Sequence, residues 1–228
     1  LGYEYYRTIN DNTTLLDEFV SDLDFYEFLP RLAMGYTIAG DHNVYLSVAK
    51  GYKTGGFNST FEREEDRSFM PEESWNYEAG IKSVLLKNRL YGDFSLFYID
   101  WRNQQIYQTV PSGQGSMLKN AGRSVSKGVE LSLTALLPFE TEVNFSYGLT
   151  NAKFTEHKVN ATTDYTGNYI PYVPGSTISG VVSKSFHFKS ELINTLTVSM
   201  NYGGTGKIYW NETNNTNQDY YSLLGGNI

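Results

Sequence analysis

Three histidines, His42, His157 and His187, are the side chains in this sequence whose ordinary proton affinity suits acid–base work near neutral pH. They lie roughly 30 residues or more from one another, whereas metal-ligating histidines usually stand three or four apart on one element, often with thiolates. Cys is absent, which removes thiolate metal sites, Cys nucleophiles and disulfides together. Gly113 and Gly115 form a Gly-x-Gly pair with no third glycine and no helix to follow, so they mark a loop tip and not a phosphate cradle. Acidic residues gather at Asp17, Glu18, Asp22, Asp24 and Glu27, and again over 62–66. Such oxygen donors suit Ca²⁺, and they equally describe a hydrated loop. Asn12, Asn58, Asn160, Asn211 and Asn214 match Asn-x-Ser/Thr, a pattern that Asn- and Thr-rich loops produce by chance. No catalytic constellation, metal site or cofactor site emerges, and the sequence is not that of an enzyme. Aromatic residues remain: Tyr107, Tyr165, Tyr169 and Trp210 fall in polar connections, where a flat apolar face with a polar edge can hold a small ligand. The alternative for these four is an aromatic girdle at a membrane interface.

The elements that carry those residues alternate with a period of two. Val129, Leu131, Leu133, Ala135 and Leu137 are apolar, with Glu130, Ser132 and Thr134 between them. Val143, Phe145, Tyr147 and Leu149 alternate with Glu142, Asn144, Ser146 and Gly148. Leu196, Val198, Met200 and Tyr202 alternate likewise with Thr197, Ser199 and Asn201. The same pattern appears at Leu32, Met34, Tyr36 and Ile38, and at Trp75, Tyr77, Ala79 and Ile81. Apolar spacing of the helical kind extends no further than residues 14–23. The expectation is an all-β chain.

Tight turns are expected at 40–43, 87–89, 138–140 and 187–190, roughly 50 residues apart, with long polar connections at 58–70, 109–118, 158–169 and 211–219 between them. Short and long connections thus alternate, which in an up-and-down barrel places all the turns at one rim and all the loops at the other. The stretches 71–86 and 90–108 are 16 and 19 residues long, against about 5–6 for an average strand and about 9–11 for one crossing a bilayer. Composition agrees: 15% of the residues are aromatic, 19% are charged, and no apolar run is long enough for a membrane helix. A net charge of −7 supplies no basic field for nucleic acid. The polar set Glu130, Ser132, Thr134, Glu142, Asn144, Ser146, Thr197, Ser199 and Asn201 is then expected to face a watery lumen, and the apolar set to face lipid.

Particular stretches resemble a known family. Phe28-Leu29-Pro30-Arg31 leads to Val44-Tyr45-Leu46-Ser47-Val48-Ala49-Lys50-Gly51-Tyr52-Lys53-Thr54-Gly55-Gly56-Phe57-Asn58. Pro71-Glu72 with Tyr77-Glu78-Ala79-Gly80-Ile81-Lys82-Ser83 follows, then Phe97-Tyr98-Ile99-Asp100-Trp101-Arg102-Asn103. Asn120-Ala121-Gly122, Gly128-Val129-Glu130 and Tyr172-Val173-Pro174-Gly175 complete the series. In order and spacing these are similar to the C-terminal half of TonB-dependent outer-membrane receptors, over residues 28–221.

The resemblance implies an antiparallel transmembrane β-barrel of about 22 strands with a plugged lumen, of which this sequence supplies about eight or nine. Residues 1–228 would then form part of one barrel domain. The opening Leu1-Gly2 and the closing Asn227-Ile228 suggest an internal piece, with the N-terminal plug and the final strands outside it. Implied partners are outer-membrane lipid, the plug, a small scarce nutrient in the outer loops, and the TonB energy-coupling complex acting through the N-terminal region. A ferric siderophore is the commonest cargo of the family, with haem, cobalamin and oligosaccharides also imported. Two other readings stand beside this one: a small self-contained outer-membrane barrel acting as anchor or adhesin, and a soluble β-rich carbohydrate-binding protein.

Overall fold

Alternating sequence becomes strand, and the strands join into one continuous ladder. The computed structural model describes residues 6–10, 17–21, 23–38, 41–120, 122–159, 162–189 and 193–228. In chain order β1 (Tyr6–Asn10) pairs with β2 (Asp17–Ser21), and β3 (Arg31–Ile38) with β4 (His42–Lys53). A small hairpin of β5 (Gly56–Phe57) and β6 (Ser68–Phe69) encloses a 3-10 turn at Glu64–Asp66. Then come β7 (Glu72–Leu85), β8 (Leu90–Arg102), a second hairpin of β9 (Gln105–Thr109) and β10 (Ser116–Asn120), β11 (Arg123–Leu137) and β12 (Thr141–Glu156). β13 (Ser176–His187), β14 (Thr195–Thr205), the short pair β15 (Ile208–Tyr209) and β16 (Asn217–Gln218), and β17 (Tyr221–Asn227) complete the series.

Nine of these form a single antiparallel sheet in the order β17-β14-β13-β12-β11-β8-β7-β4-β3. Each sheet strand is bonded to the sheet strand before it in sequence, so the chain simply runs up and down. The paired strand ends Ile38 and His42, Leu85 and Leu90, Leu137 and Thr141, and His187 and Thr195 share one rim, and the strand ends that lead into the long connections share the other. Asp22, Asn12, Asn160, Gly40, Ala121 and Ser190 lie outside the described residues, as do the side chains of Asp17 and Glu18.

One expectation needs correction, and two details add to the others. Residues 90–108 are not one strand: Asn103 adopts φ 53°, its amide donates to the Gly122 carbonyl at 3.0 Å, and the chain restarts as the separate β9–β10 hairpin. The long connections are therefore partly ordered, each of three carrying a small hairpin of its own. The stretch with helical spacing at 14–23 contributes β2, because pairing with β1 satisfies backbone groups that a lone short helix would leave exposed.

Register decides which side chains share a face, since residues directly opposite one another in a ladder project the same way. One such row runs Thr37, Asn43, Lys82, Asp93, Ser132, Ser146, Ser179 and Gly203. It is tied by Thr37 Oγ1 donating to Asn43 Oδ1 and by a 3.0 Å ion pair between Lys82 and Asp93. Thr134 donates to Asn144 at 2.7 Å, Asn144 donates to Glu142 at 2.7 Å, and Ser183 meets Ser199 at 3.0 Å on the same face. All nine residues of the polar set lie on this side. On it Tyr45 lies flat over Gly80, where an added Cβ would come within 2.6 Å of the ring. Glycine there is a requirement of packing, and the Tyr45 hydroxyl donates to Glu78 at 2.6 Å.

The next row is of the opposite kind: Tyr36, Val44, Ile81, Phe94, Leu131, Tyr147 and Ile178. Its neighbour is Met34, Leu46, Ala79, Leu96, Val129 and Leu149, of which Leu46 is 60% exposed and Leu96 48%. The buried apolar residues, Val110, Met117, Ala152, Phe154 and Ile208, lie in the long connections or at the loop end of β12. Among the described residues no protein core covers the apolar side of the sheet. Along β11 that side is uninterrupted from Leu137 to Val129 and ends at Lys127. Nine residues at about 3.3 Å, tilted by about 40°, span roughly 23 Å, close to the height of about 25 Å of the apolar band of a membrane barrel. Water would penalise such a surface, and lipid satisfies it.

The turns carry a different signature. Phe139 and Glu140 have φ of 60° and 54°, two successive left-handed residues in the three-residue connection between the paired Leu137 and Thr141, a conformation that Asn and Gly adopt with least strain. Replacing Phe139→Asn together with Glu140→Gly is expected to stabilise the β11–β12 hairpin by about 1 kcal/mol, read from urea unfolding in micelles. On the wall, Leu133→Arg or Phe145→Arg is expected to cost about 2–4 kcal/mol in lipid vesicles, with Ser132→Arg or Asn144→Arg distinctly milder. Equal losses on both faces would mean protein packed against each side.

Candidate functional site

The long connections hold half of the buried polar residues, Asn58, Asp66, Gln105 and His157, and they fold in pairs; Glu72, Ser95, Asp100 and Ser124 lie on the wall strands. Asn58 joins the first pair: its Nδ2 donates to the carbonyls of Asp66 (2.7 Å) and Leu118 (2.9 Å), and its Oδ1 accepts from the Leu118 amide at 2.7 Å. Asn120 does the same from the other side, with Oδ1 accepting from the Met70 amide and Nδ2 donating to the carbonyls of Met70 and Asn103. Gln105 donates through its amide nitrogen to Glu72 and through its side chain to the carbonyl of Thr54. Asp66, itself buried, pairs with Lys119 at 2.7 Å. Connections 54–71 and 103–122 are thereby one body. An amide side chain suits this task because it satisfies a backbone donor and a backbone acceptor at once.

The second pair is 157–175 with 206–220. Asn214 Oδ1 accepts from the Tyr169 amide at 2.6 Å while its Nδ2 donates to the Tyr169 carbonyl at 2.9 Å. Asn168 donates to the Glu212 carbonyl at 2.8 Å, and His157 Nε2 lies 3.1 Å from Glu212 Oε1. The His157 ring is almost wholly enclosed, between Phe154 at 4.5 Å and Tyr165 at 5.4 Å. At the exposed tip of this connection, hydrogen bonds from the Thr166 side chain and amide hold the Asp164 carboxyl below the ordinary carboxylate range.

Between the two pairs opens a cavity of about 340 Å³, lined by groups that include Asp66, Gln108, Lys119, Asn120, His157 and Lys158. Its polar groups come from three connections, and two of them are lysines. Such a hollow suits a compact polar ligand of the size class that small-molecule sites accept.

The four aromatic candidates are distributed unequally around it. Tyr107 is 73% exposed and neighbours the lining residue Gln108. Tyr165 packs on the lining residue His157. Tyr169 stacks on Tyr209 at 5.2 Å, and Trp210 meets Tyr172 at 5.7 Å, so both are engaged within the second loop pair. The polar wall set, Glu130 to Asn201, stands on the sheet and not in the loops. Sequence reasoning passed over Asn58, Asn120 and Asn214 as binding elements of the loops. Two of them sat in the Gly-Gly-Phe-Asn and Asn-Ala-Gly stretches, which was the available signal. Asn58 and Asn214 spend their side-chain amides inside the fold, which explains those two Asn-x-Ser/Thr matches in structural terms. Among the described residues no group of three His, Asp or Glu side chains is placed to hold a metal ion.

Comparison with known proteins matches this architecture. The family model described as "TonB dependent receptor-like, beta-barrel" matches residues 1–228. The pesticin receptor of Yersinia pestis is 28% identical over 209 residues, covering 89% of this chain and 28% of that protein. The metal-pseudopaline receptor CntO of Pseudomonas aeruginosa is 26% identical over 127 residues, 56% of this chain and 17% of that protein. Among solved structures, the ferric yersiniabactin uptake receptor FyuA from Yersinia pestis superposes with a TM-score of 0.76 at 23% identity, over 97% of this chain and 32% of that one. The siderophore receptor PiuA from Acinetobacter baumannii gives 0.71 at 18% identity, over 96% and 31%. The chain thus spans about three tenths of the length of these relatives. It belongs to the TonB dependent receptor-like β-barrel family, and its sheet is a stretch of outer-membrane barrel wall.

Proposed function

We propose that this chain supplies wall strands and outer loops to a receptor that imports a ferric siderophore across the outer membrane. The observation that carries the reading is the loop-rim cavity with Lys119, Lys158 and His157 in its lining, on a chain whose similar proteins include siderophore receptors. A ferric siderophore is compact, polar and often anionic, and a hollow between two rigid loop pairs presents Lys119 and Lys158 to it. Tyr107 and Tyr165 are the aromatic contacts in this reading, while Tyr169 and Trp210 brace the second loop pair. The polar wall face, including Glu130, Ser132, Glu142, Asn144, Thr197 and Asn201, meets a plug domain encoded elsewhere in the protein. Its hydroxyls and carboxylates offer a wet, hydrogen-bonding bed from which a plug can be released without tearing apart an apolar interface. TonB-coupled energy acts through that plug, and the wall itself performs no chemistry.

The test uses the full-length receptor. Ferric siderophores of catecholate, hydroxamate and phenolate-thiazoline classes are titrated against intrinsic fluorescence in micelles, and iron uptake is followed in a receptor-deleted strain carrying the gene. One class is expected to bind and to be taken up in an energy-dependent way. Tyr107→Ala with Tyr165→Ala is expected to weaken that binding roughly tenfold, with Lys87→Ser on the turn rim without effect. Uptake of an oligosaccharide, haem or cobalamin in place of every siderophore would overturn the reading.

A further inference from the structure

The apolar face of the wall does not end in neutral residues at the loop rim. On β11 the first residue past the apolar band is Lys127, followed on the same face by Val125 and Arg123. Lys153 of β12 stands directly opposite Val125. It is therefore the diagonal neighbour of both Lys127 and Arg123, at roughly 7–8 Å between backbones. Three cations thus surround one valine on the side of the sheet that faces lipid. Arg102 lies across from Arg123 on β8 and extends the patch.

Acids nearby neutralise it only in part: Asp100 stands across from Val125 on β8 and offsets one guanidinium, which leaves the two lysines in excess. Asp100 is committed to Arg123 through two short hydrogen bonds and to Arg102 at 3.3 Å, leaving both guanidinium groups about half exposed. Glu73 and Glu27 are taken up by Lys50, at 3.0 and 2.5 Å. Glu156 stands across from Arg123 beyond a register shift. Lys127 makes no ion pair among the described residues, and Lys153 rests over the Tyr169 ring at 4.4 Å. Like charges this close repel unless an anion sits among them. Tyr77 and Tyr98, 6.2 Å apart, lie in the same row as Lys127 and mark the interfacial belt. Beside Lys153, a slot of about 290 Å³ lined by Leu149, Tyr169, Val173 and Tyr209 offers apolar surface at the same height.

We propose that Arg123, Lys127 and Lys153 form a binding site for the phosphate-bearing headgroup of an outer-leaflet lipid. Long loops in such barrels are extracellular, which places the patch in the outer leaflet. Basic residues at a membrane surface attract anionic headgroups, and three converging on one point hold a headgroup in place where a diffuse field would only gather it. The site rests on the wall's orientation in the membrane and is independent of the nutrient taken up.

The experiment uses the full-length receptor in neutral detergent and native mass spectrometry. The probes are diphosphorylated lipid A, its dephosphorylated counterpart and inorganic phosphate. The wild type is expected to retain the diphosphorylated lipid roughly tenfold more than the dephosphorylated one. Lys127→Gln with Lys153→Gln is expected to remove that preference, while Lys127→Arg with Lys153→Arg keeps it. Barrel integrity is read from the mobility of unheated samples on a gel. Should the double variant lose its fold, each single Gln variant carries the test with about a threefold loss. Equal retention of both lipids, an unaltered preference in the Gln variants, or occupancy by inorganic phosphate in place of lipid would each overturn the proposal.

Discussion

An unpaired backbone amide or carbonyl in hydrocarbon costs several kcal/mol, and the wall is organised around avoiding it. From β3 to β17 every sheet strand is bonded to the strand that precedes it in the sheet, in continuous antiparallel register. That ladder fixes the faces. A slip of one residue anywhere would send Leu131, Leu133 and Phe145 to the polar side and Glu130, Ser132 and Asn144 to lipid. The alternation of side chains and the continuity of hydrogen bonding therefore enforce one another. Neither needs a packed interior, and among the described residues none covers the apolar face.

Packing in the ordinary sense is confined to the loop rim. There the chain leaves the ladder, and each freed backbone group needs a new partner. Asn58, Asn120 and Asn214 provide them by bonding donor and acceptor together, and Phe154, Met117 and Val110 supply buried apolar surface beneath. The outcome is two braced loop pairs with a hollow between them. Loops held this way present a preformed surface to a ligand, which spares part of the ordering cost of binding. The two ends of the same strands thus do different work: lipid stabilises the middle, and a small protein core stabilises the rim.

Much of the wall was legible from residue types because the pattern that specifies it is local. Val129 to Leu137 and Val143 to Leu149 declare their faces without reference to any distant residue, and the turns at 87–89 and 138–140 lie where the alternation breaks. The loops were less legible because their contacts are not local. Asn58 bonds to Leu118 and Asn214 to Tyr169, and nothing in the spacing of either pair announces the partner. The break at Asn103 was hidden for a related reason: residues on both sides of it keep strand-like composition, and only the competing pairing of β9 with β10 ends β8 there. Lys127 and Lys153 likewise mean little until the register sets them beside one valine.

The central claim is that one face of this sheet meets lipid and the other water. Its most direct test is a scan of single spin labels at positions 129–134 of the full-length receptor in vesicles, exploiting the absence of cysteine from this sequence. Collision rates with membrane-dissolved oxygen and with an aqueous nickel chelate are compared at each site. Labels at 129, 131 and 133 are expected to favour oxygen and those at 130, 132 and 134 to favour nickel, alternating at every step. Oxygen and nickel accessibilities that fail to alternate along this strand would contradict the account.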